Sequence, residues 1–201
     1  MKKRWLWVVA IGLLVSGCII PRLEMANWEM GPKLQFEGFS VKRPVDKHWY
    51  LVLAEQYAEL ACFRMHTKSA THTIFTQIFL KKIETKPASI DEFEAYVKKE
   101  CTAASPRNEL LNFESHLRTM QGQWCIDYTI TTRDSAAKNS NTPLLMTLKG
   151  FTVMHPTLPN TVVDAYVSQR GNDGELSPDM DVSGKAIIDS IILEPVPKKK
   201  P

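Results

Sequence analysis

Residues 113–131 read FESHLRTMQGQWCIDYTIT, and this stretch decides the fold. Phe113 to Thr119 and Trp124 to Thr131 are strand-like runs on either side of Gln121-Gly122, where the glycine supplies the positive φ of a tight turn. Trp124, Ile126, Tyr128 and Ile130 alternate with Cys125, Asp127 and Thr129, so the second run has two distinct faces. The stretch reads as a long β-hairpin, which makes an antiparallel sheet the frame for the rest of the chain.

Upstream, Ser89-Ile90-Asp91-Glu92 is a capping box, in which the Ser89 hydroxyl takes a first-turn amide and Glu92 reaches back to the Ser89 amide. Ile90, Phe93, Val97 and Cys101 follow at helical spacing and give one apolar face, and Pro106 lies beyond the end. Further strands are expected around Phe36 to Val41 with a turn at Gly38, at Trp49 to Leu53, at residues 54–66, where Ala, Glu and Leu favour helix but the flanking strands favour strand, and from Thr73 to Ile83. Downstream, residues 134–143 form a polar loop. Leu144 to Met154 and Val162 to Gln169 are strands joined through His155 to Asn160. Residues 182–193 (VSGKAIIDSIIL) read as a closing helix with Asp181 as its cap. The predicted class is α+β, an antiparallel β-sheet flanked by helices.

The N-terminus carries a different message. Lys2, Lys3 and Arg4 precede an apolar run from Trp5 to Val15, long enough for a secretory signal and too short to span a bilayer. The run ends in Val15-Ser16-Gly17-Cys18. This resembles the lipobox of bacterial lipoproteins, and the resemblance implies cleavage before Cys18 and a membrane anchor through covalent lipid, including palmitate, on its sulfur. Ile19 stands where inner-membrane retention usually has Asp, which implies the outer membrane of a Gram-negative envelope, with the body facing the periplasm. The expected organisation is a signal peptide at 1–17, a tether at 18–33, a single domain at 34–194 and a disordered basic tail at 195–201. The chain has 25 basic and 22 acidic residues. Loss of Lys2, Lys3 and Arg4 equalises the two signs, so there is no electrostatic footprint for nucleic acid.

Gly38-Phe39-Ser40-Val41, Pro44, Trp49, the capped helix and the ending Ser190-Ile191-Ile192-Leu193 resemble the PsbP-like fold over residues 34–194. That resemblance implies a sandwich serving as a binding or assembly subunit. It transfers no ligand residues.

With Cys18 lipidated, Cys62, Cys101 and Cys125 remain in an oxidising compartment, and three pairings are open. Cys101 with Cys125 is favoured if the capped helix covers the Cys125 side, and the alternative is three separate buried thiols. No Walker loop, dinucleotide fingerprint, HExxH or CxxC occurs, and no cofactor is called for. Glu114, His116 and Arg118 share a strand face, and Ser115 points to the other. Asp127 and Asp164 sit mid-strand among apolar neighbours, where a carboxylate needs a partner such as Arg133 or Arg170 or a shifted pKa. The oxygen-rich stretch Asn172, Asp173, Glu175, Asp179 and Asp181 fails EF-hand spacing. His66 and His72 match no compact metal-site pattern, and Lys198 to Lys200 read as a solvated end. These readings favour a lipid-anchored, non-catalytic binding or assembly module with an envelope protein partner. The competing reading is an envelope hydrolase built around Asp127, Asp164 or His116.

Overall fold

The structure, a computed structural model, describes residues 22–23, 33–52, 60–137 and 140–195. The signal segment, Cys18, most of the tether and nearly all of the tail lie outside the described residues. Along the chain come β1 (Arg22–Leu23), β2 (Lys33–Gln35), β3 (Phe39–Lys42), β4 (Trp49–Val52), β5 (Leu60–Met65) and β6 (Thr73–Lys82). Helix α1 (Ile90–Cys101), β7 (Asn108–Met120), β8 (Gln123–Asp134), β9 (Leu144–Met154), β10 (Thr161–Gly171), helix α2 (Pro178–Asp189) and β11 (Ile192–Leu193) follow.

Eight strands form an antiparallel sheet in the order β1-β4-β5-β6-β10-β9-β8-β7, and β11-β3-β2 make a small second sheet. One helix lies on each face of the large sheet, so the molecule is an α+β sandwich. On the first face, Trp49, Phe63, Ile74, Ile78, Phe151, Val163, Ala165 and Val167 pack with Phe39, Val41, Ile187, Ile188 and Ile191 from the small sheet and α2. Each fully buried valine, isoleucine or phenylalanine among these contributes roughly 1.5–3 kcal/mol. On the second face, Phe93 and Val97 of α1 pack over Ile126, Tyr128, Ile130 and Val162.

Helix α1 forms where the capping box predicts. Ser89 Oγ accepts from the Glu92 amide at 3.2 Å, but the Glu92 carboxylate takes the Ala88 amide at 2.7 Å rather than that of Ser89. Helix α2 begins earlier and ends earlier than its apolar run suggests. Pro178 occupies its first turn, Ser177 precedes it without a side-chain cap, and the helix stops at Asp189. The reason is Gln169 of β10, 1 % exposed, whose Oε1 accepts from the Ser177 amide at 3.0 Å and whose Nε2 donates to the Ser177 carbonyl at 2.7 Å and to Asp181. At the other end Ser190 Oγ donates to the Ile187 carbonyl at 2.6 Å, and Ile192-Leu193 pair with Ser40 and Phe39 as β11. Asp181 is thus inside the helix, bonded to Lys149 Nζ at 2.6 Å.

Two further expectations change. Arg22–Leu23, inside the supposed tether, pair with Val52 and Leu51 as strand β1. Helix α1 covers the face of β8 carrying Ile126, Tyr128 and Ile130, whereas Cys125 points to the opposite core. Cys101 and Cys125 therefore lie on opposite sides of the sheet, and Cys62, Cys101 and Cys125 are free thiols. The Cys101–Cys125 bridge does not form. Within 54–66 the strand is β5, and residues 53–59 lie outside the described residues.

Candidate functional site

A group of internal polar side chains sits on the second face, beside α1. Asp164 stands on β10 directly opposite Thr152 of β9, and Tyr128, Gly150 and Tyr166 are aligned in register across β8, β9 and β10. A Cβ at Gly150 would lie 2.3 Å from the Ala165 carbonyl oxygen and 2.5 Å from Tyr166 Cβ. The missing side chain lets the strands close and leaves the Tyr128 hydroxyl room to reach diagonally to Asp164. Asp164 Oδ1 accepts from Tyr128 at 2.8 Å and from Thr152 Oγ1 at 3.2 Å.

Around this carboxyl lie the Tyr96 hydroxyl, buried and without a hydrogen-bond partner among the described residues, and the Cys101 thiol. The Tyr166 hydroxyl donates to Gln77 Oε1, and its ring meets Phe75 and Phe79 edge-on at 6.1 and 6.5 Å. At the rim Lys81 pairs with Glu100, with its ammonium 5.9 Å from the Tyr96 ring centre.

Electrostatics make this a site without an activated nucleophile. Burial pushes the Asp164 carboxyl above the ordinary carboxylate range, against the pull of the Tyr128 and Thr152 hydrogen bonds and of Lys81. Burial, reinforced by Asp164 and Glu100, pushes the Cys101 thiol up to about 12, so it stays protonated at neutral pH. The hydroxyls of Tyr96, Tyr128 and Tyr166 are raised by burial and by the same carboxyl. Such a cluster can orient hydrogen bonds and present aromatic edges.

The other sequence candidates fall elsewhere. Asp127 lies on the first face, opposite Asp164, and its partner is neither Arg133 nor Arg170. Arg118 Nε donates to both of its oxygens at 2.8 Å, and the guanidinium rests 5.1 Å from the Phe151 ring centre. His116 is directly opposite Asp127 in register and exposed. Asp127 and His116 are therefore neighbours, but the sheet separates them from Asp164, so the three side chains do not converge in one pocket. Arg133 pairs with Glu109, and Arg170 with Asp134.

His66 packs on Tyr50 with ring centres 4.6 Å apart and planes tilted by 34°, while His72 is buried against Gln169, so the two histidines share no site. In the acidic stretch, Glu175 is taken up by the Asn172 amide, the Asn172 side chain and Thr71 Oγ1 at 2.7, 3.0 and 2.9 Å. The Asn172 amide bond first, then hydroxyl and side-chain amide donors, bring its carboxyl down to about 2. Among the described residues, no three His, Cys, Asp or Glu side chains are arranged to hold a metal ion. A shallow depression of about 160 Å³ between Lys33, Lys42, Ser190 and Ile192 is lined almost wholly by apolar atoms and gathers no chemistry.

Sequence reasoning missed Asp134 and Gln169. Asp134, 1 % exposed, accepts from Arg107 Nε at 2.7 Å, Arg107 Nη2 at 2.5 Å and Arg170 Nη1 at 2.9 Å. Burial alone would raise this carboxyl, but the bonds from Arg107, the Ala136 amide and Arg170 outweigh it and hold it below the ordinary range. A glutamine on the inward alternation of β10, between apolar Val167 and the turn at Gly171, was the available signal for Gln169.

Neither a protein-family model nor a curated protein matches the sequence. Among solved structures the chain is similar to LpqN of Mycobacterium tuberculosis, described as involved in cell envelope biogenesis. The identity is 13 %, the TM-score 0.50, and the match covers 79 % of this chain and 86 % of that one. It is also similar to the cyanobacterial PsbP of Synechocystis (14 %, TM-score 0.41, 84 % and 96 % covered). A third is the Ran-binding protein Mog1p of Saccharomyces cerevisiae (9 %, TM-score 0.43, 80 % and 94 % covered). At these identities the LpqN likeness speaks for the fold alone, and the two lower scores carry no argument.

Proposed function

We propose that the chain is a lipid-anchored lipoprotein of the bacterial cell envelope whose α+β domain acts as a non-catalytic binding or assembly module. The observation that carries this is Val15-Ser16-Gly17-Cys18, behind a basic flank and a short apolar run. Two acyl chains on one residue give a stable anchor where one gives only reversible binding. The reading is supported by a polar cluster at Asp164 that holds no activated nucleophile and by the separation of Asp127 and His116 from it. No helix among the described residues is long and apolar enough to cross a membrane. LpqN, alike in fold, is described as acting in cell envelope biogenesis, a setting consistent with this one at a coarse level. An outer-membrane location facing the periplasm belongs to the same proposal and rests on Ile19 after the lipobox.

Metabolic labelling with an alkyne fatty acid tests it. The full chain should incorporate label and fractionate with outer membranes, and Cys18→Ser should lose the label and leave the membrane. Unlabelled wild-type protein in the soluble fraction would overturn the proposal.

A further inference from the structure

Strand β7 closes the large sheet on its outer side, and among the described residues no strand pairs with its free edge. It runs 13 residues, and Leu110, Leu111 and Leu117 are 43, 41 and 51 % exposed. Edge strands are usually blunted by charged side chains, lysine above all, or by proline, bulges or brevity, and of these β7 has Glu109, Glu114 and Arg118, all but Glu114 taken up by ion pairs with β8. Asn108–Met120 has no lysine and no proline, and its one irregularity is a register shift between Leu110 and Asn112. The other edge, β1, is two residues long.

The hairpin geometry fixes which groups that edge offers. Gln121 and Gly122, with φ of 50° and 76°, form a two-residue turn closed by Met120 opposite Gln123. The closing pair is hydrogen-bonded, and the pattern then alternates, so Arg118, His116, Glu114 and Asn112 spend their backbone groups on β8. Phe113, Ser115, Leu117 and Thr119 turn their N–H and C=O groups outward.

We infer that β7 pairs antiparallel with β7 of a second copy of this chain about a two-fold axis at Ser115, joining the two large sheets edge to edge. In this register Ser115 meets Ser115 of the copy, and Phe113 meets Leu117 twice as outward hydrogen-bonded pairs. Glu114 meets His116 twice, and Asn112 meets Arg118 twice, on the other face. An antiparallel pair of identical strands satisfies two-fold symmetry directly, since every contact occurs twice. Apolar meets apolar and acid meets imidazole, the cross-strand combinations that stabilise sheets. Shifting the axis to Glu114 would oppose two glutamates, and shifting it to Leu117 would oppose His116 to Arg118. This self-complementarity favours a second copy over an unrelated strand. Glu94 of α1, held by the Ser115 hydroxyl at 3.1 Å, and Glu114, diagonal to Glu114 of the copy, are acids brought toward their own counterparts, and both are solvent-exposed and screened. The inference uses only described residues and stands whether or not Cys18 carries lipid.

Cysteine crosslinking and sedimentation of the full chain in detergent micelles test it. Hydrogen-bonded antiparallel partners lie about 5.5 Å apart at Cα, within disulfide range. Ser115→Cys should therefore form a disulfide-linked dimer at least tenfold faster than Thr119→Cys, which this register places opposite Leu111. Wild-type protein should sediment as a dimer at micromolar concentration. Leu117→Lys should raise the dimer dissociation constant at least tenfold while keeping the wild-type circular dichroism, and the wild-type melting temperature at dilutions where both proteins are monomeric. A wild-type monomer, equal crosslinking at 115 and 119, or a dimer indifferent to Leu117→Lys would each overturn the inference.

Discussion

The inner and outer halves of the large sheet are built to different standards. Under α2, strands β6 and β10 carry Ile74, Ile78, Val163, Ala165 and Val167 at 0–1 % exposure, with Gln169 locking the start of the helix. On the outer side β7 leaves Leu110, Leu111 and Leu117 in solvent and one backbone edge open among the described residues. The contrast separates the parts of the chain that hold the fold from the part free to meet something else. Substitutions on the inner side should therefore be read in stability, and those on β7 in association.

The largest effect is expected where the two halves are tied together. Asp134 ends β8 and binds Arg107 and Arg170. Asp134→Ala leaves a largely buried guanidinium at Arg170 without its carboxylate, and breaking such a pair costs about 3–5 kcal/mol. Chemical denaturation should show that loss, and a change below 1 kcal/mol would mean the halves are not joined there. Next comes Gly184 of α2, where an added Cβ would lie 2.3 Å from Val167 Cγ2. Gly184→Ala should destabilise by about 1–3 kcal/mol through overpacking, despite the gain in helix propensity. An unchanged or raised melting temperature would show that α2 sits less tightly on β10.

Two carboxylates should respond to pH in opposite senses. Glu194 accepts from Lys33, Ser40 and Gln35, and those hydrogen bonds bring its carboxyl down to about 2. It binds fewer protons folded than unfolded, so its stabilisation is present above its ordinary pKa and fades as pH falls from there toward 2. Glu194→Gln should flatten that acid limb. Asp164, raised by burial, binds more protons folded than unfolded. Its contribution is full below the unfolded pKa and is lost as pH rises through the folded pKa. Asp164→Asn should thus be neutral or stabilising at pH 7, and a large loss of stability there would show that the ionised form is needed. The smallest stability effect belongs to Leu117→Lys, within about 0.5 kcal/mol of wild type as for other exposed sites. A larger loss, measured on monomeric protein, would place Leu117 in the core and erase the contrast between the halves.

The hairpin, the capped helix and the long strands were legible because each is written locally, in alternation, a turn glycine or a cap. What stayed hidden depends on which surface meets which. Alternation in β8 separates Cys125 from Ile126 but does not say which side receives α1, and the Cys101–Cys125 expectation failed on that choice. The apolar run through Ile192-Leu193 continues the helical period, so its transfer to β11 is set by pairing with Phe39 and Ser40 rather than by its own composition. Asp127 met Arg118, diagonal to it on the neighbouring strand, because the hairpin register outranks the more distant arginines. The Asp164 cluster required Gly150, whose role appears only when three strands are side by side.

The most direct test of an anchored assembly module is crosslinking in intact cells followed by mass spectrometry of the membrane fraction, comparing the full chain with Cys18→Ser. An anchored module should give a discrete crosslinked species in the membrane fraction of the full chain, and Cys18→Ser protein should leave that fraction without it. No discrete species from wild-type membranes, or an unchanged membrane-fraction species from Cys18→Ser, would contradict this reading.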